Sequence, residues 1–149
     1  MKILIAEDDS ASRRLLQRTL ENWGHVVYAA RDGEDAWELY SQQYARLVIT
    51  DWVMPKLDGP GLCQRIAAAQ EGSNDPAYVI MLTSRDSTED LAAGLGAGAN
   101  DFIAKPFNLE ELRARLRNGE RILALQDQLI AAREQMRQLA MTDPLTLLP

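Results

Sequence analysis

The sequence contains one cysteine, Cys63, in 149 residues. That excludes an intrachain disulfide and a zinc site built from cysteines. Histidine is as scarce: His25 is alone, and its place beside Gly24 at a strand start reads as a surface or turn position. No stretch approaches the ~20 apolar residues of a membrane span. The first apolar run is too short for a signal peptide and meets Glu7-Asp8-Asp9 at once. There is no basic cluster, and 16 Lys plus Arg against 22 Asp plus Glu give a formal charge of −6 and a pI near 4.8. Nucleic acid and anionic membranes are therefore poor partners. Repeats of fixed period and low-complexity tracts are missing too. What remains is 46% hydrophobic and 26% charged within 16.7 kDa. That suits one soluble domain with an appendage, expected to be cytoplasmic.

Short apolar runs alternate with helical patterns. Lys2–Ala6, His25–Ala29, Leu47–Thr50, Tyr78–Leu82 and Asp101–Ala104 are the expected strands. Nearly continuous apolar strands are what a parallel sheet covered on both faces requires. Between them, Leu16, Leu20 and Trp23 share a helical face, as do Ala36, Leu39 and Tyr40, then Leu62, Ile66 and Ala69. Cys63, beside Leu62, reads as a packing residue. Asp32 with Asp35, Ser87 with Asp90 and Asn108 with Glu111 mark helix starts, and Gly24 marks a stop. Five such alternations predict a doubly wound α/β fold with a five-stranded parallel sheet.

From Leu109 to about Met141 there is no proline and one glycine, Gly119. A helix of that length would span ~50 Å, more than covering a sheet demands. Leu109, Leu112 and Leu116 are expected to face the sheet. Ile122, Leu125, Leu129, Ala132, Met136 and Leu139 then follow at alternating three- and four-residue spacing, the seam of a two-stranded coil. The expected organisation is a globular domain over residues 1–120, a coiled-coil linker over 121–141 pairing two copies through 122–139, and the start of a further, truncated domain over 142–149.

In open α/β sheets the active crevice lies beyond the carboxyl ends of the strands. There the sequence places Glu7-Asp8-Asp9, Asp51-Trp52, Thr83-Ser84 and Lys105-Pro106. Clustered carboxylates repel and call for a cation, and hard oxygens with room for water suit Mg²⁺. A metal with Lys105 and Thr83 could hold phosphoryl oxygens while a carboxylate accepts phosphorus. Singly, each piece has a plain reading: helix-start acids, a turn aspartate, a capping hydroxyl. Together at strand ends they point to phosphoryl transfer onto an aspartate. Trp52, next to Asp51, is expected to be partly exposed.

The set Ile5-Ala6-Glu7-Asp8, Asp51 to Gly59, Leu82-Thr83-Ser84, Gly98 to Phe102 and Ala104 to Phe107 resembles the receiver domain of two-component response regulators. The resemblance implies the flavodoxin-like strand order 2-1-3-4-5, with Asp51 as phosphoacceptor, Lys105 as its counter-ion and Thr83 as the hydroxyl that closes on the phosphoryl group. Phe102 would be the aromatic switch working with Thr83. Mg²⁺ would be held by Glu7, Asp8, Asp51 and the Val53 carbonyl, and Pro106 would follow a cis peptide. Three acids stand in a row, so the acidic pair could fall on Glu7–Asp8 or on Asp8–Asp9. The following Ser10-x-x-Arg13-Arg14 favours the first and makes Asp9 a helix-start residue. The implied partner is a sensor histidine kinase or a phosphotransfer protein, and the chain itself would be a phosphoacceptor, not an enzyme.

An aspartate-nucleophile phosphohydrolase would carry a second Asp where Val53 stands. A flavodoxin-like cofactor binder would have a Ser/Thr/Gly-rich phosphate cradle, and three acids would repel its ligand. Thr142 to Pro149 resembles the start of a diguanylate cyclase (GGDEF-type) domain, with Leu147 where that family commonly has glycine. The resemblance implies a longer parent that makes cyclic di-GMP; a phosphodiesterase or kinase output is the alternative.

Overall fold

The computed structural model describes residues 1–71, 76–84, 92 and 96–141. Its elements are β1 (Lys2–Ala6), α1 (Ser10–Asn22), β2 (Val26–Ala30), α2 (Gly33–Gln43), β3 (Leu47–Asp51), α3 (Gly59–Gln70), β4 (Tyr78–Thr83), β5 (Asp101–Ala104) and α4 (Leu109–Met141). The strands form one parallel sheet in the order β2-β1-β3-β4-β5. Ile3, Leu4 and Ile5 are consecutive and all fully buried, which only a sheet covered on both faces allows. Leu4, Val48, Val79 and Met81 face α2 and α3 through Ala36, Tyr40, Leu62, Cys63 and Ile66. Ile3, Ile49, Ile80, Leu82 and Ile103 face α1 and α4 through Leu16, Leu20, Leu112, Leu116 and Leu123. Among the described residues no helix is long and apolar enough to cross a membrane.

The helix boundaries follow local hydrogen-bond chemistry. Asp9 caps α1 by accepting from the Ser12 N–H, Asp32 caps α2 through Asp35, and Asn108 accepts from the Glu111 N–H ahead of α4. Asp58 does the same for α3 through Gly61. The expected Ser87–Asp90 start lies outside the described residues. After α1, Gly24 takes φ 94° and the His25 N–H returns to the Leu20 carbonyl, a left-handed stop. His25 is thus spent on the cap, and β2 begins one residue later than expected, where Val26 pairs with Lys2.

Three expectations are corrected. Trp52 is 7% exposed, because its N–H donates to the Leu82 carbonyl, prolonging the β3–β4 pairing, and its ring packs into the α2–α3 side of the core. Ala69 is exposed, so the buried face of α3 ends at Ile66. Leu109 is 47% exposed, and α4 grips the sheet further along instead, through Leu112, Leu116 and Leu123. Ile122 also packs partly on this core. At Gly119 a Cβ would meet the Tyr78 ring at 2.8 Å and Leu47 at 3.0 Å, so only glycine lets the helix lie this close.

Candidate functional site

The strand ends bring the expected residues together. Lys105, just beyond β5, donates through Nζ to Glu7 Oε2 at 2.9 Å and lies 3.0 Å from Asp51 Oδ1. Glu7, Asp8 and Asp51 each offer a carboxylate oxygen within 4.8 Å of the others. Asp9 instead turns to α1 as its cap, so the acids that meet Asp51 are Glu7 and Asp8. Thr83 is buried at the end of β4, and its carbonyl accepts from the Lys105 N–H at 2.8 Å. The Lys105–Pro106 peptide is cis.

Burial pushes the Glu7 carboxyl above its ordinary range and the Asp51 charge adds to this, while Lys105 and the Asp9 N–H oppose it. Burial alone would lower the Lys105 ammonium, but its bonds to Glu7 and Asp51 outweigh that and raise it. One ammonium among three carboxylates leaves the cluster short of positive charge. Mutually close hard oxygens, one of them on the exposed Asp8, fit a small divalent cation that keeps part of its water.

Asp51 is held in place. Its Oδ1 accepts the Trp52 N–H at 3.0 Å as well as facing Lys105. The loop that follows is tight: Lys56 has φ 69°, and the Leu57 N–H donates to the Pro55 carbonyl at 2.8 Å. This is a strained three-residue turn. A Cβ on Gly59 would fall 2.5 Å from the Asp51 carbonyl oxygen, so α3 can start directly beneath Asp51 only with glycine there. The Asp58-Gly59-Pro60 run ahead of an apolar helix was the available signal for that role. Val53 is exposed in this loop. Phe102 is half-buried with its ring centroid 6.3 Å from that of Trp52. It joins the core on the face occupied by Met81, which strand alternation makes the Thr83 face as well.

A parallel sheet in this order, with an aspartate at the end of its middle strand facing a lysine and an acidic turn, is the architecture of a receiver. The chain belongs to that family: residues 3–117 match the response regulator receiver domain. It is 41% identical over 117 residues to a "probable transcriptional regulator ycf27" of Porphyridium aerugineum, covering 78% of this chain and 47% of that protein. It is 40% identical over 117 residues to the response regulator MprA of Mycolicibacterium vanbaalenii, covering 78% and 49%. The chain therefore spans about half the length of the curated relatives it matches. Among solved structures, the Francisella response regulator 1452 receiver domain superposes with a TM-score of 0.69 at 33% identity, covering 78% of this chain and 93% of that one.

Proposed function

We propose that Asp51 accepts a phosphoryl group from the phosphohistidine of a sensor histidine kinase or phosphotransfer protein. The observation that carries this is the Lys105 ammonium set between Glu7 and Asp51 at the strand ends. With Oδ1 occupied by Lys105 and the Trp52 N–H, Oδ2 is the oxygen that attacks phosphorus. An Oδ2–P bond forms, the P–N bond to the imidazole breaks, and the freed imidazole takes its proton from solvent. Lys105 then moves its charge to a phosphoryl oxygen, and the Thr83 hydroxyl donates to another. Phe102 follows Thr83 on the same sheet face and acts as the switch.

Glu7, Asp8, Asp51 and the Val53 carbonyl would hold Mg²⁺. When bound, the metal offsets the negative charge that the acids present to an incoming phosphoryl group. The chain acts as a phosphoacceptor and not as an enzyme.

The donor protein has a surface to dock on. A groove of about 540 Å³ opens at Lys105 and is lined by Leu15, Leu16, Thr19, Phe107 and Leu109. Two of these leucines are exposed, so an apolar partner helix would cover them. Such a kinase works where ATP is, which makes the chain cytoplasmic.

The signal leaves through α4. Leu125, Leu129, Met136 and Leu139 are exposed. At about 100° per residue they lie roughly half a turn around the helix from Leu116 and Leu123. A second copy can therefore pair through Leu125, Leu129, Met136 and Leu139 without displacing the receiver, Ile122 being shared with the receiver's own core, and so deliver two output domains side by side. We assign that output to a diguanylate cyclase, on the Thr142–Pro149 resemblance, which lies outside the described residues. The relative named as a probable transcriptional regulator supports instead a transcriptional output as the second reading. GTP conversion to cyclic di-GMP by the full-length parent separates the two.

The acceptor is tested by mixing the chain with Mg²⁺ and a small phosphodonor and weighing the intact protein. Wild type should gain one phosphate and Asp51→Asn none. Equal labelling of both would remove Asp51 from its role.

A further inference from the structure

We propose that Arg13 is a positioning residue for the acidic turn, reaching back from α1 to hold the carbonyls of Glu7 and Asp8 and so fixing how their carboxylates enter the site. Its Nη1 donates to the Glu7 carbonyl at 2.9 Å and lies 3.5 Å from that of Asp8. The inference rests on the reading of Glu7, Asp8 and Asp51 as a Mg²⁺-assisted acceptor site.

The physical need is clear from the backbone. Glu7 is the last residue tied to the sheet, its N–H donating to the Ala30 carbonyl. The α1 ladder begins only where the Asp9 carbonyl accepts from the Arg13 N–H. The Glu7 and Asp8 carbonyls fall between strand and helix and belong to neither ladder. Carbonyls in that position need a donor, and the planar Nη1 of a guanidinium offers two N–H bonds in fixed directions, where an ammonium rotates. Asp8 is exposed, so packing does little to orient its carboxylate. Arg14, the next residue, is exposed and takes no part in these bonds. This distinction gives a structural reason for the Ser10-x-x-Arg13-Arg14 spacing that sets the register of the acidic pair.

A positive charge this near the carboxylates would by itself oppose cation binding. A variant that keeps this charge therefore isolates positioning: on charge alone its affinity for Mg²⁺ would not change. Arg13→Lys keeps the charge and loses the fixed directions of the Nη1 N–H bonds; Arg14→Lys is the matched control. Mg²⁺ is titrated into each ¹⁵N-labelled chain while the amide shifts of Glu7, Asp8 and Asp9 are followed. The expected result is a dissociation constant about tenfold weaker in Arg13→Lys, the scale seen when groups that orient metal ligands are altered, and unchanged in Arg14→Lys. An Arg13→Lys value equal to or tighter than wild type overturns the inference alone, as does an equal loss in both variants. Wild type that shows no Mg²⁺-dependent shift in this turn overturns the site reading and the inference with it.

Discussion

Arg46 and Asp127 meet at 2.8 Å, although 81 residues separate them. Arg46 directly precedes β3, and its Nε also donates to the Pro76 carbonyl at 3.2 Å. The guanidinium is thereby pre-set, and it holds the Asp127 carboxyl below its ordinary range. The receiver's grip on α4 thus extends past Leu123, beyond residue 120. Asp127→Ala should leave global stability almost unchanged, because exposed pairs contribute little. It should speed native-state hydrogen exchange of the amides around Leu123 to Asp127 while leaving the sheet protected. Equal exchange in wild type and variant would show that the pair holds nothing.

The seam on α4 makes its own prediction. Leu125→Glu with Leu129→Glu places charge at two successive contact layers, where a paired coil cannot tolerate it. Sedimentation should show a dimer for wild type and a monomer for the double variant. Monomers at all concentrations in both would end the idea of pairing.

Acidification should weaken the fold through His25. Burial holds its imidazole below the ordinary 6.5, with Glu120, 3.4 Å away, partly opposing. The unfolded chain therefore takes up the proton more readily than the folded one. Stability falls as pH drops through 6.5, and the loss is complete once the pH is below the folded value. Arg113 and Arg117 line the same hollow with Trp23 and Leu116, and they do not favour a second positive charge there. Denaturant midpoints measured near pH 7.5 and pH 5.5 should differ less in His25→Gln than in wild type. Matching differences would remove His25 from the account.

The phosphoryl group on Asp51 should be long-lived. In receivers, the residues two beyond the acceptor and two beyond the threonine influence the attacking water, and here they are Val53 and Arg85. The Val53 side chain has no acceptor with which to orient a water; Arg85 lies outside the described residues. Val53→Asn should quicken loss of the label by about tenfold, short of full general-base catalysis. An unchanged half-life, followed by intact mass, would count against this.

The strands and the residues at their ends were legible because a doubly covered parallel strand leaves an uninterrupted apolar run that stops where the crevice begins. Caps such as Asp32 and Asn108 were legible because their chemistry is local. Trp52 was not: whether a residue just past a strand turns inward depends on a carbonyl of the neighbouring strand, here Leu82. The seat of α4 was hidden for a similar reason. Gly119 reads as a blemish in a helix until Tyr78 and Leu47 are seen to occupy the space. Arg13 was visible as a spacing, and its use became visible only when the turn before α1 had a shape.

Asp51 closes β3, and Arg46 stands immediately ahead of its first residue. Asp51 and the anchor of the long helix thus stand at the two tips of one central strand of five residues, about 17 Å long. Flanked by β1 and β4, that strand behaves as a short strut with no slack loop along it. On the proposed function, a displacement of the strand at Asp51 would be carried to Arg46 along a segment paired on both sides. The helix, held there through Asp127, would turn a small shift at that point into a larger swing at its far end.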